Sequence, residues 1–205
     1  LLIAPLLDDF LHRFPSLSVD LLLVDRVVDL VEEDIHLSLR VGHLPDSRLV
    51  ARKIADLQMV LCASPAYLAR RGTPQSPADL EHHDCLVFSG TPGAAVWRFK
   101  LDQDAEYRIR LYGRIWVNSL DALVTMAKHG AGIVRVPSWQ VGADLAGGHL
   151  QRILRRHEPA PTPLHLLFQP SRLPSTKTRA FADFLVDHWL KRDPFVAGVD
   201  GHEEN

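Results

Sequence analysis

The stretch Met59 to Leu68, MVLCASPAYL, carries the residue types best suited to holding a ligand. Its apolar run predicts a strand, and Ser64 followed by Pro65 predicts the start of a helix, with serine as the N-cap and proline at the first helical position. The unpaired backbone N–H groups of such a helix end, with the positive end of the helix dipole behind them, can receive an anion. Most turns of this kind bind nothing, so the corner alone is a weak signal.

Other reactive side chains do not form a catalytic or metal-binding pattern. His82, His83 and Cys85 are close in sequence, but neighbouring strand residues point to opposite faces and no second ligand pair follows at a metal-site spacing. A nucleophile elbow of the type G-x-S-x-G does not occur in the sequence. Gly130 and Gly132 precede a predicted strand, whereas dinucleotide-binding glycines follow one. We therefore expect no catalysis, no metal and no cofactor.

Composition and charge indicate a globular chain that binds DNA poorly by itself. The 205 residues are 46% hydrophobic and 23% charged, and 23 basic against 25 acidic residues give a formal charge of -2. That balance lacks the excess of cations that displaces counterions from DNA. Cys62 and Cys85 fall in apolar runs and indicate reduced, buried thiols. Without a signal peptide or a run of ~20 apolar residues, we expect a cytoplasmic protein with no membrane partner.

The first forty residues predict alternating helices and strands. A helical apolar stripe runs from Leu2 to Arg13 and is already under way at the first residue, so the chain resembles an excised fragment. The run 17–24 carries apolar residues on both faces, which is typical of a strand covered on both sides. Asp25 is placed to cap a short helix, and residues 35–41 predict the next strand. Short connections in this order favour a parallel sheet.

Strands and capped helices continue along the rest of the chain. Two extended pieces fill residues 49–63, and the helix after Ser64 ends at Gly72. Strands are predicted over 85–89, 96–101 and 106–117, followed by a helix that Asn118 caps and a strand over 133–136. The pattern closes with a helix from Ser138, strands over 150–154 and 164–169, and a helix after Ser175.

Several segments together resemble the effector-binding domain of LysR-type transcriptional regulators. They are DLVEEDIHLSLRVGHLPDSRLVARKI, ASPAYLARRGTPQSPADLEHHDCL, WRF and VNSLDALVTMAKHGAGIVRVP, of which the second is the most specific. The resemblance covers the chain from Leu2 to Leu190. It implies an α/β fold of two Rossmann-like lobes joined by two crossover strands, as in type-2 periplasmic binding proteins. Lobe one would comprise residues 1–61 and 168–205, with its first strand missing, and lobe two residues 62–167.

The same resemblance implies partners and a site. Members of the family bind a small-molecule inducer between the lobes and form homodimers or tetramers in which helix one, here 2–13, pairs with 119–128 of a partner copy. They contact DNA through an N-terminal winged helix-turn-helix, which is not among these residues. Two helix N-termini and a nearby arginine favour an organic acid as the inducer. The implied effector-binding residues are Arg40, Val41, Gly42, Ser64, Phe88, Ser89, Asn118, Ser119, Ile133 and Arg135.

Each of these residues also has a simpler interpretation. Ser64 and residues 118–119 are helix caps first and ligand contacts second. Arg40 ends a buried strand, where a charge needs a partner such as Asp46. Arg135 stands where the family has an apolar residue, so it either tunes the charge of the ligand site or faces solvent.

Two other functions stay open at this point. A solute-binding protein of a transport system would share the fold but be exported, and the missing signal and two free cysteines argue against it. An enzyme on a related α/β scaffold would need a catalytic constellation that the sequence does not contain. The sequence therefore favours a ligand-sensing regulatory domain that performs no catalysis.

Overall fold

The computed structural model describes residues 3–42, 44, 49–90, 93–101, 105–169 and 175–192. Its helices are α1 (Leu7–Arg13), α2 (Pro65–Arg71), α3 (Leu120–Lys128), α4 (Ser138–Ala146) and α5 (Thr176–Arg192), with 3₁₀ helices at Ala4–Leu6, Pro77–His82 and Arg155–His157. Its strands are β1 (Leu37–Val41), β2 (Val50–Leu57), β3 (Met59–Ala63), β4 (Leu86–Phe88), β5 (Val96–Lys100), β6 (Glu106–Arg110), β7 (Ile115–Val117), β8 (Val134–Pro137), β9 (Gln151–Ile153) and β10 (Thr162–Phe168). None of the helices in these ranges combines the length and the apolar character that crossing a membrane requires.

The chain forms two compact units. The first is drawn from Leu1–Val24, Val28–Leu57 and Thr162–Pro194, and the second from Asp25–Val27 and Gln58–Pro161. The chain thus enters the second unit after Leu57 and returns to the first at Thr162. The lobe boundaries implied by the resemblance, 61/62 and 167/168, lie near these passages and stay a prediction.

The first unit contains a three-stranded antiparallel sheet in the order β1-β10-β2. Its two helices, α1 and α5, meet through aromatic rings. The ring centre of Phe10 lies 4.7 Å from that of Phe181 and 5.3 Å from that of Phe184. Phe10 is 1% exposed, so this cluster packs the buried side of α1 against α5. The predicted first helix is confirmed from residue 4 onward, although its first turn is a 3₁₀ helix.

Residues 17–24 do not form the predicted strand. They have no regular secondary structure, and Leu22, Leu23 and Val24 are 53%, 54% and 42% exposed. A strand needs a neighbouring strand to pair its backbone N–H and C=O groups, and none of the ladders found among the described residues includes this segment. Apolar alternation predicts which side chains would be buried, but it does not supply the pairing partner.

The short helix predicted after Asp25 is also wrong. The chain instead makes a turn over residues 30–34, in which the Asp29 side chain accepts a 2.8 Å hydrogen bond from the Val31 N–H. The Ile35 N–H closes this turn on the carbonyl oxygen of Leu30. The predicted parallel sheet is wrong for the described strands of the first unit, because β1, β10 and β2 pair antiparallel.

The sheet of the second unit is centred on β3, which pairs antiparallel with β8 on one side and with β9 on the other. β4 pairs parallel with β7, and a parallel bridge between Cys85 and Ile133 joins β4 to β8. β4, β7 and β8 therefore run in one direction and β3 runs in the opposite one. We call the edge where β4, β7 and β8 end the carboxyl edge, and the edge where β3 ends the amino edge.

Both faces of this sheet are buried. On the hairpin face, Leu61 and Ile133 pack with Trp97 of the antiparallel hairpin β5–β6. On the helix face, Cys62 packs with Leu123 of α3 in a second cluster that also includes α4. Dense packing on both sides holds the loops at the two edges on a rigid support.

The predicted helices of the second unit are confirmed, with one shift. α2 begins after Ser64 and ends at Gly72, whose φ of 83° suits glycine. α3 is capped by Ser119, one residue later than predicted, because the Ser119 Oγ accepts a 3.4 Å hydrogen bond from the Ala122 N–H. Asn118 is left exposed just before the cap.

Candidate functional site

The carboxyl edge brings together four of the predicted site residues. Phe88 and Val117 are paired at the ends of β4 and β7, and the Ser89 N–H donates to the Val117 carbonyl oxygen at 2.9 Å. Asn118 and Ser119 follow directly and lead into α3. Ser89 and Asn118 are exposed, whereas Phe88 packs against the helix-face core. Ligand crevices in α/β sheets lie at such carboxyl ends, so this edge is the candidate site.

A carboxylate of the chain itself occupies the start of α3. The Leu120 N–H donates a 3.0 Å hydrogen bond to Oδ2 of Asp25, in addition to the Ser119 cap. Gly90 allows this approach, because a Cβ at that position would collide with the backbone carbonyl oxygen of Asp25. Negative charge is favourable at the positive end of a helix dipole. The helix end that we expected to receive a ligand anion is therefore already supplied with one by the protein.

Arg135 lies in β8 on the hairpin face. It stands opposite Leu61, and Ile133, two residues earlier, is fully buried in the core of that face. The Nη1 atom of Arg135 is buried and has no hydrogen-bond partner among the residues that the structure describes. Burial, with a further contribution from the charge of Arg98, lowers the pKa of the guanidinium to about 10. An unpaired buried cation costs free energy that a contacting anion would recover.

Ser64 lies at the amino edge, away from the candidates at the carboxyl edge. β3 runs opposite to β4, β7 and β8, so the residue that follows Ala63 leaves the sheet where those strands begin. Gly130, just before β8, lies beside it: a Cβ there would be 3.5 Å from the Ser64 Oγ. The expectation that Ser64 and Asn118 share one crevice is therefore corrected, because strand direction cannot be read from the apolar pattern that predicted the strands.

The Ser64 corner is filled by the chain's own side chains. Ser64 is 3% exposed, and its Oγ accepts a 3.3 Å hydrogen bond from the Tyr67 N–H. The Tyr67 hydroxyl accepts from the Asp84 N–H at 2.8 Å and is 3.1 Å from Nδ1 of His83. Burial raises the pKa of Tyr67 and lowers that of His83, so both groups favour their neutral forms. At this corner the serine serves as a helix cap.

Arg40, Val41 and Gly42 end β1 in the first unit. Arg40 is half-buried opposite His165, and Val41 is 47% exposed. Gly42 has a φ of 119°, which glycine adopts without strain. The predicted partner of Arg40, Asp46, lies outside the described residues. The contribution of these residues to a ligand site stays a prediction.

Two features near the candidate site escaped the sequence analysis. Asp25 caps a helix that begins 95 residues further along the chain, and no local spacing signals such a contact. Arg152 and Glu158 form a buried pair, with 10% and 8% of their side chains exposed and Nε 2.6 Å from Oε1. Gln58 donates to Glu158 Oε2 at 3.2 Å, so the start of the second unit is linked through Glu158 to Arg152 of β9. In the sequence, Arg152 is a charged residue in a predicted strand and Glu158 falls in the irregular link after it. Neither pattern predicts that the two side chains form a pair.

The two cysteines are enclosed thiols. Cys62 and Cys85 are free and are 0% and 4% exposed. Burial, with a smaller contribution from the nearby carboxylates of Asp144 for Cys62 and Asp84 for Cys85, raises the pKa of each thiol to about 12. The thiolate, which is the reactive form, is therefore scarcely populated at neutral pH. Across the described ranges, no three His, Cys, Asp or Glu side chains are grouped to hold a metal ion.

Comparisons with known proteins identify the family. A family model described as the LysR substrate binding domain matches residues 1–190. The HTH-type transcriptional regulator CrgA of Neisseria meningitidis serogroup B is 32% identical over 187 residues, which cover 91% of this chain and 62% of that protein. The HTH-type transcriptional activator AaeR of Escherichia coli K12 is 32% identical over 192 residues, which cover 92% of this chain and 61% of that protein.

Solved structures give the same result for the fold. The regulatory domain of CrgA, a LysR-type transcriptional regulator, superposes with a TM-score of 0.80 and 30% identity over 91% of each chain. Full-length AphB, a virulence activator of Vibrio cholerae, superposes with a TM-score of 0.77 and 25% identity over 91% of this chain and 63% of that one. The type-2 periplasmic-binding-protein-like α/β fold implied by the resemblance is confirmed.

The relatives also bear on function. This chain spans about three fifths of their length, with 59%, 60% and 62% of three of them covered. They are named as transcriptional regulators, which are not enzymes, and none of those cited is a solute-binding protein. The prediction that the chain is not an enzyme is therefore confirmed. On the family match and these relatives, the chain belongs to the substrate-binding domains of LysR-type transcriptional regulators.

Proposed function

We propose that this chain is the ligand-sensing region of a LysR-type regulator: it binds a small-molecule inducer and passes the signal to a DNA-binding region elsewhere in the regulator. The observation that carries the proposal is the carboxyl edge of the second unit, where Ser89, Asn118 and the start of α3 lie together on a sheet packed on both faces. Exposed polar groups on a rigid support are what a ligand site needs.

The signal requires a difference in ligand affinity between two states of the protein. A ligand that binds one state more tightly shifts the population toward it, and the free energy of that shift equals the difference in binding free energy. We infer that the regulator acts as a homodimer or tetramer in the cytoplasm and that the shift is read by DNA-binding regions of the assembly. The formal charge of -2 supports a division of labour in which this region does not hold DNA itself.

A thermal-shift screen of small metabolites against the chain tests the proposal. A true ligand at 100 times its dissociation constant should stabilise the fold by about 2.7 kcal/mol. Asn118→Ala should then weaken that ligand while leaving the unliganded midpoint unchanged, because Asn118 is exposed and does not cap α3.

The matched control is Gln151→Ala, which removes an exposed amide at the amino edge, opposite Ala63. It should leave both the midpoint and the ligand affinity unchanged. Two results would contradict the proposal: no metabolite in a broad screen produces a shift, or Gln151→Ala weakens the ligand as much as Asn118→Ala does.

A further inference from the structure

Arg135 is a half-buried cation whose Nη1 atom is enclosed without a hydrogen-bond partner among the described residues. We propose that it binds the carboxylate of a small organic acid, and that this carboxylate is the recognition feature of the inducer at the carboxyl edge. The inference rests on the proposed function and adds the chemical class of the ligand and the residue that selects it.

Strand register places Arg135 next to the candidate site. The antiparallel ladder sets Arg135 opposite Leu61 of β3, and the parallel bridge between Cys85 and Ile133 lies two residues before Val87 on β4 and two residues before Arg135 on β8, so both side chains are on the hairpin face. Strand residues alternate between faces, so the next position of β4 on the hairpin face is Ser89, at the carboxyl edge. Two residues of strand span about 6.5 Å, a distance that an arginine side chain can bridge.

The buried Nη1 atom of Arg135 has no partner within the described ranges of the chain. Among the described residues, the charged group that acts on this guanidinium is Arg98, which is a cation. Glu106, the nearest acidic partner of Arg98, is shared between Arg98 at 3.4 Å and Arg108 at 2.8 Å. Arg152 differs from Arg135 in this respect, because its buried guanidinium forms an ion pair with Glu158. A ligand carboxylate would give Arg135 what Glu158 gives Arg152.

The two serine-capped helix starts of the second unit already have their own acceptors. Asp25 accepts from the first N–H of α3, and the Ser64 Oγ caps α2 at the opposite edge. Arg135 is half-buried as a whole residue, so part of it can be reached from solvent. Its flanking residues Leu61 and Val87 are apolar, which suits an acid with an apolar body, and a planar guanidinium pairs with a carboxylate through two parallel hydrogen bonds.

Calorimetric titration with matched acid and amide pairs tests the inference on the chain as it stands. The probes are benzoate and benzamide, succinate and succinamide, and inorganic phosphate. At least one acid should bind about tenfold or more tightly than its amide. Arg135→Met should remove that preference by weakening the acid about tenfold or more and leaving the amide unchanged, while the denaturation midpoint of the unliganded protein stays the same or rises.

The matched control is Arg98→Met, which removes an exposed arginine nearby and should change acid affinity by less than about threefold. If Arg135→Met lowers the yield of folded protein, Arg135→Gln, which keeps a polar side chain, carries the same expectation.

Several results would overturn the inference. An acid that binds the Arg135 variants as tightly as the wild type would do so, and so would a variant that loses stability along with all ligands, because that is the signature of a structural arginine. Equal affinity for acids and amides, or preference for phosphate, would also overturn it. In each case a metabolite found in the broad thermal-shift screen would leave the proposed function standing, whereas the absence of any ligand would remove both.

Discussion

The two edges of the second unit's sheet share one sequence signature but differ in how exposed that signature is in the structure. At each edge a strand runs into a helix whose N-cap is a serine, Ser64 before α2 and Ser119 before α3. Ser64 is buried and its Oγ accepts from the Tyr67 N–H, whereas Ser119 is half-buried beside exposed Asn118 and shares its helix end with Asp25. A serine cap thus predicts a helix start, while its neighbours decide whether the helix end can meet a ligand.

Tyr67 should be the most sensitive position in this comparison. Tyr67→Ala removes a fully buried ring from the hairpin-face core and should cost about 3–5 kcal/mol, whereas Tyr67→Phe removes only the hydroxyl that accepts from the Asp84 N–H and should cost about 1–2 kcal/mol. Urea unfolding monitored by circular dichroism measures both. Neither variant should alter ligand specificity, and a change of specificity in Tyr67→Phe would mean that the amino edge takes part in binding.

The two serine caps should differ in the same direction. Ser64→Ala should lower the free energy of unfolding by about 1–2 kcal/mol, because its cap is buried, while Ser119→Ala should cost about 0.5–1 kcal/mol, since Asp25 still serves the start of α3. The same unfolding assay applies. Ser119→Ala should change ligand affinity more than Ser64→Ala does. A larger effect of Ser64→Ala on ligand affinity would contradict the assignment of the ligand site to the carboxyl edge.

Asp25 tests whether the α3 N-terminus is the anion site. Asp25→Asn keeps an acceptor but removes the charge, so stability should fall by about 0.5 kcal/mol at low salt and by less at high salt. Urea midpoints at two sodium chloride concentrations measure the difference. Affinity for an acid should change little. A marked rise in acid affinity would mean that the ligand replaces Asp25 at the helix end and that Arg135 is not its main partner.

His83 should give the smallest effect, in the pH dependence of stability. Burial, with the charge of Arg71, lowers its pKa below the usual 6.5, so the unfolded chain takes up this proton at a higher pH than the folded chain does. Its contribution to the free energy of unfolding is therefore present above pH 6.5 and is lost as the pH falls below that value. His83→Gln should flatten the decline between about pH 7 and about pH 5. An unchanged slope would show that the Tyr67–His83 contact is not maintained in solution.

The ends of helices were predicted well, because their signals are local in the sequence. Ser64, Pro65 and Gly72 delimit α2 as observed, because caps and helix stops depend on residues a few positions apart. The same holds for Ser175, whose Oγ accepts from the Thr178 N–H at the start of α5. The family resemblance supplied the fold class, which no local signal contains.

The sequence analysis missed the features that depend on contacts between segments far apart in the chain. The apolar run 17–24 predicts a strand, yet it gains no ladder in the described structure. The direction of β3 relative to β8 separates Ser64 from Asn118, and nothing in either segment encodes that direction. Asp25 has the right side chain for a cap, but the sequence cannot specify which helix it serves.

The enclosure of Cys62 and Cys85 has a practical consequence for watching this protein in solution. Because both native sulfurs are protonated and packed in the two cores, maleimide dyes should leave them untouched in the folded chain. A fluorophore attached through Asn118→Cys would then report from one defined point, with no need to strip the natural thiols first.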